Sequence, residues 1–267
     1  MMRNNKMRDC LHEGRYTLGT RVWSQWPFFI EMLGDTGNFD YIEFVAEYAP
    51  FTQYDLENMA RACELFNMSS MIKVDFQNHA YVAQKAVAAG FQAVLFTDMK
   101  TPEEVREAVR VMKGDSIISG GRFGYPNRRF IGYQPYLSQM DHVKRLDEIV
   151  LAFMIEKKEA VENLEEICSI PGVDMLQFGP SDFSMSNGKN STDNKEACTI
   201  AHEKMIRTAL KHGIRPRVEI YGDPSDAKKY LEMGVKDICF GDQMKIYSKF
   251  ASCDGRCMNQ IISEYWA

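Results

Sequence analysis

The chain has 267 residues, of which 45% are hydrophobic and 26% are charged, and its formal net charge at pH 7 is −5. This is the composition of a soluble globular protein, and the length suits one large α/β barrel or two small domains. The mildly acidic balance argues against a nucleic-acid partner, and no apolar run reaches the roughly 18 residues that a membrane-spanning helix needs.

The amino-terminal segment is polar and lacks the apolar core of a secretory signal. We therefore predict a flexible tail over residues 1–15. The chain has seven cysteines, an odd number with scattered spacing, which favours reduced thiols over a disulfide framework. We expect a cytoplasmic protein with no membrane partner.

Short apolar runs typical of buried parallel strands alternate with helical patterns. Eight such runs occur, at residues 17–23, 41–45, 70–74, 93–96, 151–155, 174–178, 216–220 and 237–240. Glycines such as Gly90 and Gly213 end the helical patterns just before the next run, as residues after a helix often do. The alternation predicts one α/β domain, a (β/α)8 TIM barrel over residues 16–250.

Two stretches interrupt this alternation, at residues 114–147 and 183–196. The second is rich in Ser, Asn and Gly and follows a predicted strand, so we expect a loop on the carboxyl rim of the barrel. Residues 251–267 contain apolar side chains near their end, including Tyr265 and Trp266. We predict a C-terminal helix or tail that covers either its own barrel or a neighbouring subunit.

Two of the apolar runs end in carboxylates. Glu156 follows one run and Asp182 follows the next, with a helical pattern over residues 157–171 between them. This β-α-β unit places both carboxylates on one rim, where α/β folds keep their chemistry. Two hard anionic ligands suit Mg²⁺ or Mn²⁺. The alternative is that Glu156 is a solvated loop residue and that Asp182 caps a helix.

Other polar residues at predicted strand ends face the same mouth. Glu47 and Tyr48 follow the second run, and Lys73 and Asp75 mark the end of the third. A lysine here would supply positive charge where an oxyanion develops, although a purely structural ion pair is the alternative. The turn from Gly179 to Asp182 offers backbone N–H groups for a substrate carboxylate.

Several segments resemble the HpcH/HpaI aldolase family in matching order. They are residues 39–42, 47–50, 155–156, 162–167, 172–174 and 179–184. The resemblance covers about residues 16–250 and is most specific around Glu156 and Asp182. It implies a class II pyruvate aldolase acting on 2-keto-3-deoxy sugar acids or 4-hydroxy-2-oxo diacids.

The resemblance also implies roles for individual residues. Glu156 and Asp182 would bind a divalent metal (Mg²⁺, Mn²⁺ or Co²⁺), which chelates the carbonyl and carboxylate of a 2-oxo acid while a pyruvate enolate forms. Backbone amides at Ser181 and Asp182, beside Gly179, would hold the substrate carboxylate. The family forms hexamers that exchange C-terminal helices, so the resemblance implies a homo-oligomer in which the apolar tail is covered.

The chain departs from the family pattern in the part that handles protons. The family's second strand ends in Asp-x-Glu-His, whereas here Val45 replaces the Asp and Tyr48 replaces the His. Lys73 replaces an Arg that steadies the enolate, and an Arg-Gly-x-Gly loop survives only around Arg122. An unperturbed tyrosine has a pKa near 10 and acts as a proton donor more readily than as a base.

The leading hypothesis is a metal-dependent carbon–carbon lyase of the aldolase type that works through a pyruvate-like enolate. Lys73 would stabilise the enolate, Glu47 and Tyr48 or a metal-bound water would move the proton, and Arg122 would bind a second anionic group. The alternatives are decarboxylative condensation of an oxaloacetate-like substrate, a Schiff-base aldolase using Lys73, and a catalytically silent barrel that binds a ketoacid.

Overall fold

The computed structural model describes residues 4–126, 128–133 and 137–266. Eight parallel strands close into a barrel in sequence order. They are β1 (Thr17–Val22), β2 (Tyr41–Val45), β3 (Ser69–Val74), β4 (Ala93–Phe96), β5 (Val150–Ile155), β6 (Met175–Phe178), β7 (Arg215–Ile220) and β8 (Asp237–Asp242). The predicted TIM barrel is confirmed.

Helices surround the strands and mostly follow the predicted rhythm. They are α1 (Lys6–His12), α2 (Pro27–Asp35), α3 (Gln53–Leu65), α4 (His79–Ala89), α5 (Pro102–Met112), α6 (Gln139–Asp147), α7 (Lys158–Glu162), α8 (Leu164–Cys168), α9 (Pro180–Ser186), α10 (Lys195–Lys211), α11 (Lys228–Glu232), α12 (Gln243–Lys249) and α13 (Gly255–Trp266). The helix predicted over residues 157–171 is divided at Asn163 into α7 and α8, and the predicted rim loop begins with the end of α9.

The amino-terminal segment is not a flexible tail over residues 6–12, so that part of the prediction is wrong. These residues form α1, whose Met7 is fully buried and packs into the inner core of the barrel. The Arg8 guanidinium bonds both carboxylate oxygens of Asp174, at 2.6 and 2.7 Å, just before β6 begins. The helix therefore closes the amino end of the barrel, opposite the candidate site, while residues 1–3 lie outside the described ranges.

The inward-facing side chains divide the barrel interior into two halves. From β3 to β6 they are mainly apolar and include Met71, Leu95 and Met175, with Lys73 and Gln177 as polar exceptions. Across β7, β1 and β2 they are charged, and Glu43 and Arg217 in this half are completely buried. Packed apolar layers are usual inside such barrels, so a buried charged half requires internal ion pairs.

A long helical segment follows the barrel. It comprises α12, a π-helical turn (Phe250–Asp254) and α13, and none of the described side chains in these three elements is buried. The predicted C-terminal helix is thus present, and its apolar side chains, including Ile261 and Trp266, are exposed. Its packing on a neighbouring subunit stays a prediction. Within the described ranges, no helix combines the length and the apolar character needed to cross a membrane.

Candidate active site

The site lies at the carboxyl ends of the strands, as predicted. Glu47 and Tyr48 follow β2, and Lys73 is the penultimate residue of β3. Glu156 directly follows β5, and Asp182 lies in the first turn of α9 after β6. Because parallel strands all end on one face, residues far apart in sequence are brought to one mouth.

Lys73 is held between an acidic and an aromatic side chain. Its ammonium lies 2.5 Å from Glu47 Oε2 and 5.7 Å from the centre of the Tyr48 ring, and both partners of the ion pair are nearly buried. The Tyr48 ring in turn stacks on Trp23, with 6.4 Å between the ring centres. Partial burial and the hydrogen bond to the Glu47 carboxylate both raise the pKa of the Tyr48 hydroxyl. Tyr48 is therefore kept as a neutral phenol.

Glu156 is buried, with 2% of its surface exposed. Its Oε1 accepts the backbone N–H of Asp98 at 2.9 Å. A Cβ at position 179 would lie 2.5 Å from Glu156 Oε2, so the close approach of the two strand ends requires Gly179. Burial is the largest influence on this carboxyl and raises its pKa to about 7, although Lys73 and the Asp98 amide act in the opposite direction.

Asp182 faces a lysine that the sequence interpretation did not single out. Lys157 Nζ lies 3.8 Å from Asp182 Oδ1 and 2.6 Å from Asp98 Oδ1. Asp98 lies two residues after the end of β4. Glu47 and Asp75 were predicted to be rim residues for the same reason, because each lies just after a predicted strand. Lys157 directly follows Glu156, so the strand-end argument applied to every strand would have found both residues.

We call Glu47, Lys73, Asp98, Glu156, Lys157 and Asp182 together the acidic site. Four carboxylates face two ammonium groups, which leaves a formal charge of −2 when all are ionised. This deficit matches one divalent cation, and carboxylate oxygens are the ligands that Mg²⁺ and Mn²⁺ prefer. The residues present therefore fit a divalent metal.

Other predicted residues lie elsewhere or have other partners. Arg122 is half exposed on the flank of α5, where it pairs with Glu107 at 2.7 Å, and its role in binding a second anionic group stays a prediction. Its backbone N–H is held by the carbonyl of Arg110 near the end of α5. Asp75 accepts the backbone N–H of Asn78 and shapes the turn before α4. Ser181 is exposed in the first turn of α9.

The arginines that follow Arg122 also pair with carboxylates. Arg129 is buried and forms hydrogen bonds of 2.6 and 2.7 Å with Glu64 on α3. Arg128 pairs with Glu57 on the same helix. In the structure the two residues attach the loop to α3.

A second charged cluster lies deeper in the barrel. Arg21, Glu43, Arg217 and Glu219, which we call the arginine network, join β1, β2 and β7 through ion pairs that include Glu43–Arg21 at 2.8 Å and Glu43–Arg217 at 2.5 Å. Glu43, Glu219 and Cys239 are close enough to surround a cation. However, both glutamates are already neutralised by guanidinium groups, so the cluster is a poor metal site.

The comparisons with known proteins agree with this geometry. Residues 37–248 match the model of the HpcH/HpaI aldolase/citrate lyase family. The chain belongs to this family. The matched region covers all strands except β1, and it contains every residue of the acidic site.

Individual relatives of the chain are distant but cover most of its length. A 4-hydroxy-2-oxo-heptane-1,7-dioate aldolase of Klebsiella pneumoniae is 24% identical, covering 89% of this chain and 88% of that protein. An HpcH/HpaI aldolase from Desulfitobacterium hafniense has the same fold, with a TM-score of 0.83 over 97% of both chains at 20% identity. The citrate synthase SbnG gives a TM-score of 0.81 at 19% identity, covering 96% of this chain and 99% of that one. The predicted class, a carbon–carbon lyase of the aldolase type, is confirmed by the family and its named aldolases.

Proposed function

We propose that the chain cleaves, or in reverse forms, the C3–C4 bond of a 4-hydroxy-2-oxo acid and depends on a divalent metal held by Glu156 and Asp182. The observation that carries the proposal is the acidic site itself. The site lies at the carboxyl rim and has a formal charge of −2, which one divalent cation would balance. Lys73 places an ammonium group there that can stabilise the negative charge of an enolate. Mg²⁺, Mn²⁺ and Co²⁺ all suit these ligands.

When bound, the metal would supply Lewis-acid polarisation of the 2-oxo group. The chain supplies the remaining interactions. The backbone N–H groups of Ser181 and Asp182, in the first turn of α9, have no partner within that helix and are suited to the substrate carboxylate. Lys73 supplies positive charge against the oxygen on which the enolate charge develops.

Proton movement falls to Glu47 and Tyr48. In cleavage the C3–C4 electron pair remains on C3 as the enolate, and the 4-hydroxyl group becomes the aldehyde carbonyl as it loses its proton to Glu47. Tyr48 donates a proton to C3 and recovers one from Glu47, with which it is hydrogen-bonded. The cycle returns both groups to their starting state without the histidine that the family pattern contains.

One alternative is supported by a specific observation. The raised pKa of Tyr48 makes it a poor base for removing a proton from the methyl group of pyruvate. Decarboxylation of an oxaloacetate-like substrate generates the same enolate without that step, so decarboxylative condensation is the second candidate. The Schiff-base alternative requires a free amine, whereas Lys73 is the ammonium partner of a nearly buried Glu47.

The first test is hydrogen–deuterium exchange of the pyruvate methyl group in D₂O, followed by NMR with Mg²⁺ and again with a chelator. Release of CO₂ from oxaloacetate is measured in parallel. We expect metal-dependent activity in at least one assay, with losses of about a thousandfold in Glu156→Gln and Asp182→Asn. Glu159→Gln, a neighbouring exposed position, is the matched control. Activity that ignores the chelator contradicts the metal role, and inactivity in both assays favours a silent barrel.

We also propose a homo-oligomer, a hexamer by the family resemblance, in which α13 packs on a neighbouring subunit. The exposed apolar residues of α13, including Ile262 and Trp266, support it because such a surface is rarely left in water. Light scattering of the full chain should give a mass several times 30.7 kDa. Ile262→Glu should lower that mass, whereas Gln260→Glu, on the opposite face of the same helix, is the control.

A further inference from the structure

A lysine lies inside the acidic site, next to a proposed metal ligand. The side chain of Lys157 is 12% exposed, and its ammonium is 2.6 Å from Asp98 Oδ1 and 3.8 Å from Asp182 Oδ1. A positive charge at this distance opposes the approach of a second cation to Asp182. The ion pair with Asp98 is the shorter of the two contacts, so Asp98 holds the lysine partly away from Asp182.

Asp98 contacts other residues of the acidic site through both its backbone and its side chain. Its N–H donates to Glu156 Oε1 at 2.9 Å while its carboxylate holds Lys157. It has a φ of 60°, in the left-handed region that Asp and Asn adopt more readily than most residues. In this conformation one residue contacts Glu156 directly and Asp182 through Lys157.

We propose that Lys157 and Asp98 set the metal affinity of the acidic site. Lys157 is a competing cation for Asp182, and Asp98 is the counter-charge that limits this competition. The inference rests on the proposed function, because it takes Glu156 and Asp182 as the metal ligands. Both new residues are positioning residues, since they act through the two ligands.

The proposal differs from a purely structural ion pair in the signs that it predicts. Removing either partner of a structural pair changes stability and leaves metal affinity nearly unaffected. Here, removing the ammonium of Lys157 strengthens metal binding, because Asp182 loses a competing cation. Removing the charge of Asp98 weakens metal binding, because Lys157 is then free to pair with Asp182.

The experiment is a titration of the full-length, chelator-treated protein with Mn²⁺, in which free Mn²⁺ is measured by electron paramagnetic resonance. We expect Lys157→Met to lower the Kd about tenfold and Asp98→Asn to raise it about tenfold, as for one close charge contact near a surface. Asn keeps the backbone N–H and tolerates the left-handed conformation. In the Lys157→Met background, Asp98→Asn should change the Kd by less than about threefold, because the ion pair is already absent.

Lys158→Met is the matched control, because it removes the same charge at the next position, where the side chain is 63% exposed. Its Kd should match that of the wild type. If Glu156→Gln abolishes binding but Lys157→Met does not strengthen it, this inference is wrong while the proposed metal site stands. If Glu156→Gln leaves Mn²⁺ binding unchanged, or if neither the wild type nor Lys157→Met binds Mn²⁺, both proposals fail together.

Discussion

Two groups of buried charges lie in the same barrel and differ in their balance. In the arginine network, two guanidinium groups face two carboxylates, and Glu43 and Arg217 are fully buried. In the acidic site, four carboxylates face two ammonium groups. Because buried charge is costly unless it is paired, the glutamates of the first group already have their partners, whereas the second group is suited to a cationic ligand.

The pKa values of two buried glutamates express this difference. Burial alone would raise the pKa of Glu43, but Arg21 and Arg217 outweigh burial and lower it to about 2. For Glu156, burial prevails over Lys73 and raises the pKa to about 7. Two residues of the same type, both almost inaccessible to water, therefore shift in opposite directions. The cause is the number of cations beside each of them.

The largest effect on stability should come from the arginine network. We expect Arg217→Met to lower the free energy of unfolding by about 3–5 kcal/mol, because Glu43 loses a partner without regaining water. Urea denaturation followed by circular dichroism measures this change. The matched control is Arg106→Met, which removes a surface ion pair with Glu166 and should cost less than about 1 kcal/mol. Equal costs for the two variants would contradict the structural role of the network.

The pH dependence of stability should separate the two glutamates. The folded-state pKa of Glu156 lies above its unfolded value, so its protonated form is favoured in the folded protein. In a chelator, its contribution to stability should fall by about 3 kcal/mol as the pH rises from about 4.5 to 7, and stay constant above that. Glu156→Gln should remove this trend, so the difference between the two denaturation profiles measures it.

Glu43 should show the opposite sign. Its folded-state pKa is lowered, so its stabilising contribution is present above about pH 4.5 and is lost as the pH falls towards 2. The difference in the free energy of unfolding between the wild type and Glu43→Gln should therefore become smaller as the pH falls. If the difference in unfolding free energy between the wild type and Glu43→Gln stays constant from pH 7 to pH 3, the arginines do not hold this carboxylate ionised.

A smaller effect, on activity, should come from Lys73. We expect Lys73→Met to lower kcat/KM about a hundredfold, because the developing enolate loses a positive charge. Lys73→Arg should recover most of this loss, since it keeps the charge although it replaces a point charge with a planar group. Lys113→Met, which removes a lysine paired with Asp147 away from the mouth, is the control. An arginine variant as inactive as the methionine variant would show that charge alone does not explain the role of Lys73.

The sequence was sufficient for features that depend on local pattern. Runs such as residues 41–45 and 93–96 match β2 and β4 residue for residue, because strands buried on both faces are mainly apolar, although β2 also contains Glu43. The placement of Glu156 and Asp182 on one rim followed from the same pattern, since consecutive parallel strands end on one face. The start of α5 also follows from local sequence, because Thr101 is followed by Pro102 and Glu104, and the structure shows the Thr101 side chain capping the helix.

Long-range pairing was not predictable in this way. The polar composition of residues 1–15 concealed a helix whose stability depends on burying Met7 against the inner core and on bonding Arg8 to Asp174. Arg122 was expected to bind a second anionic group, whereas in the structure its side chain pairs with Glu107 and its backbone is held by Arg110 at the end of α5. The Arg8–Asp174 pair joins residues 166 positions apart, so no local pattern could have predicted it.

The sequence by itself determined the barrel, its carboxyl rim and the carboxylates that lie there, because hydrophobic period and strand polarity are local properties of the chain. Only the tertiary structure decided which charges meet. It paired Glu43 with two arginines and left Glu156 beside too few cations, and it placed Lys157 between Asp98 and Asp182. Electrostatic energies depend on distances of a few ångströms and on burial, and these are fixed only when the whole barrel closes.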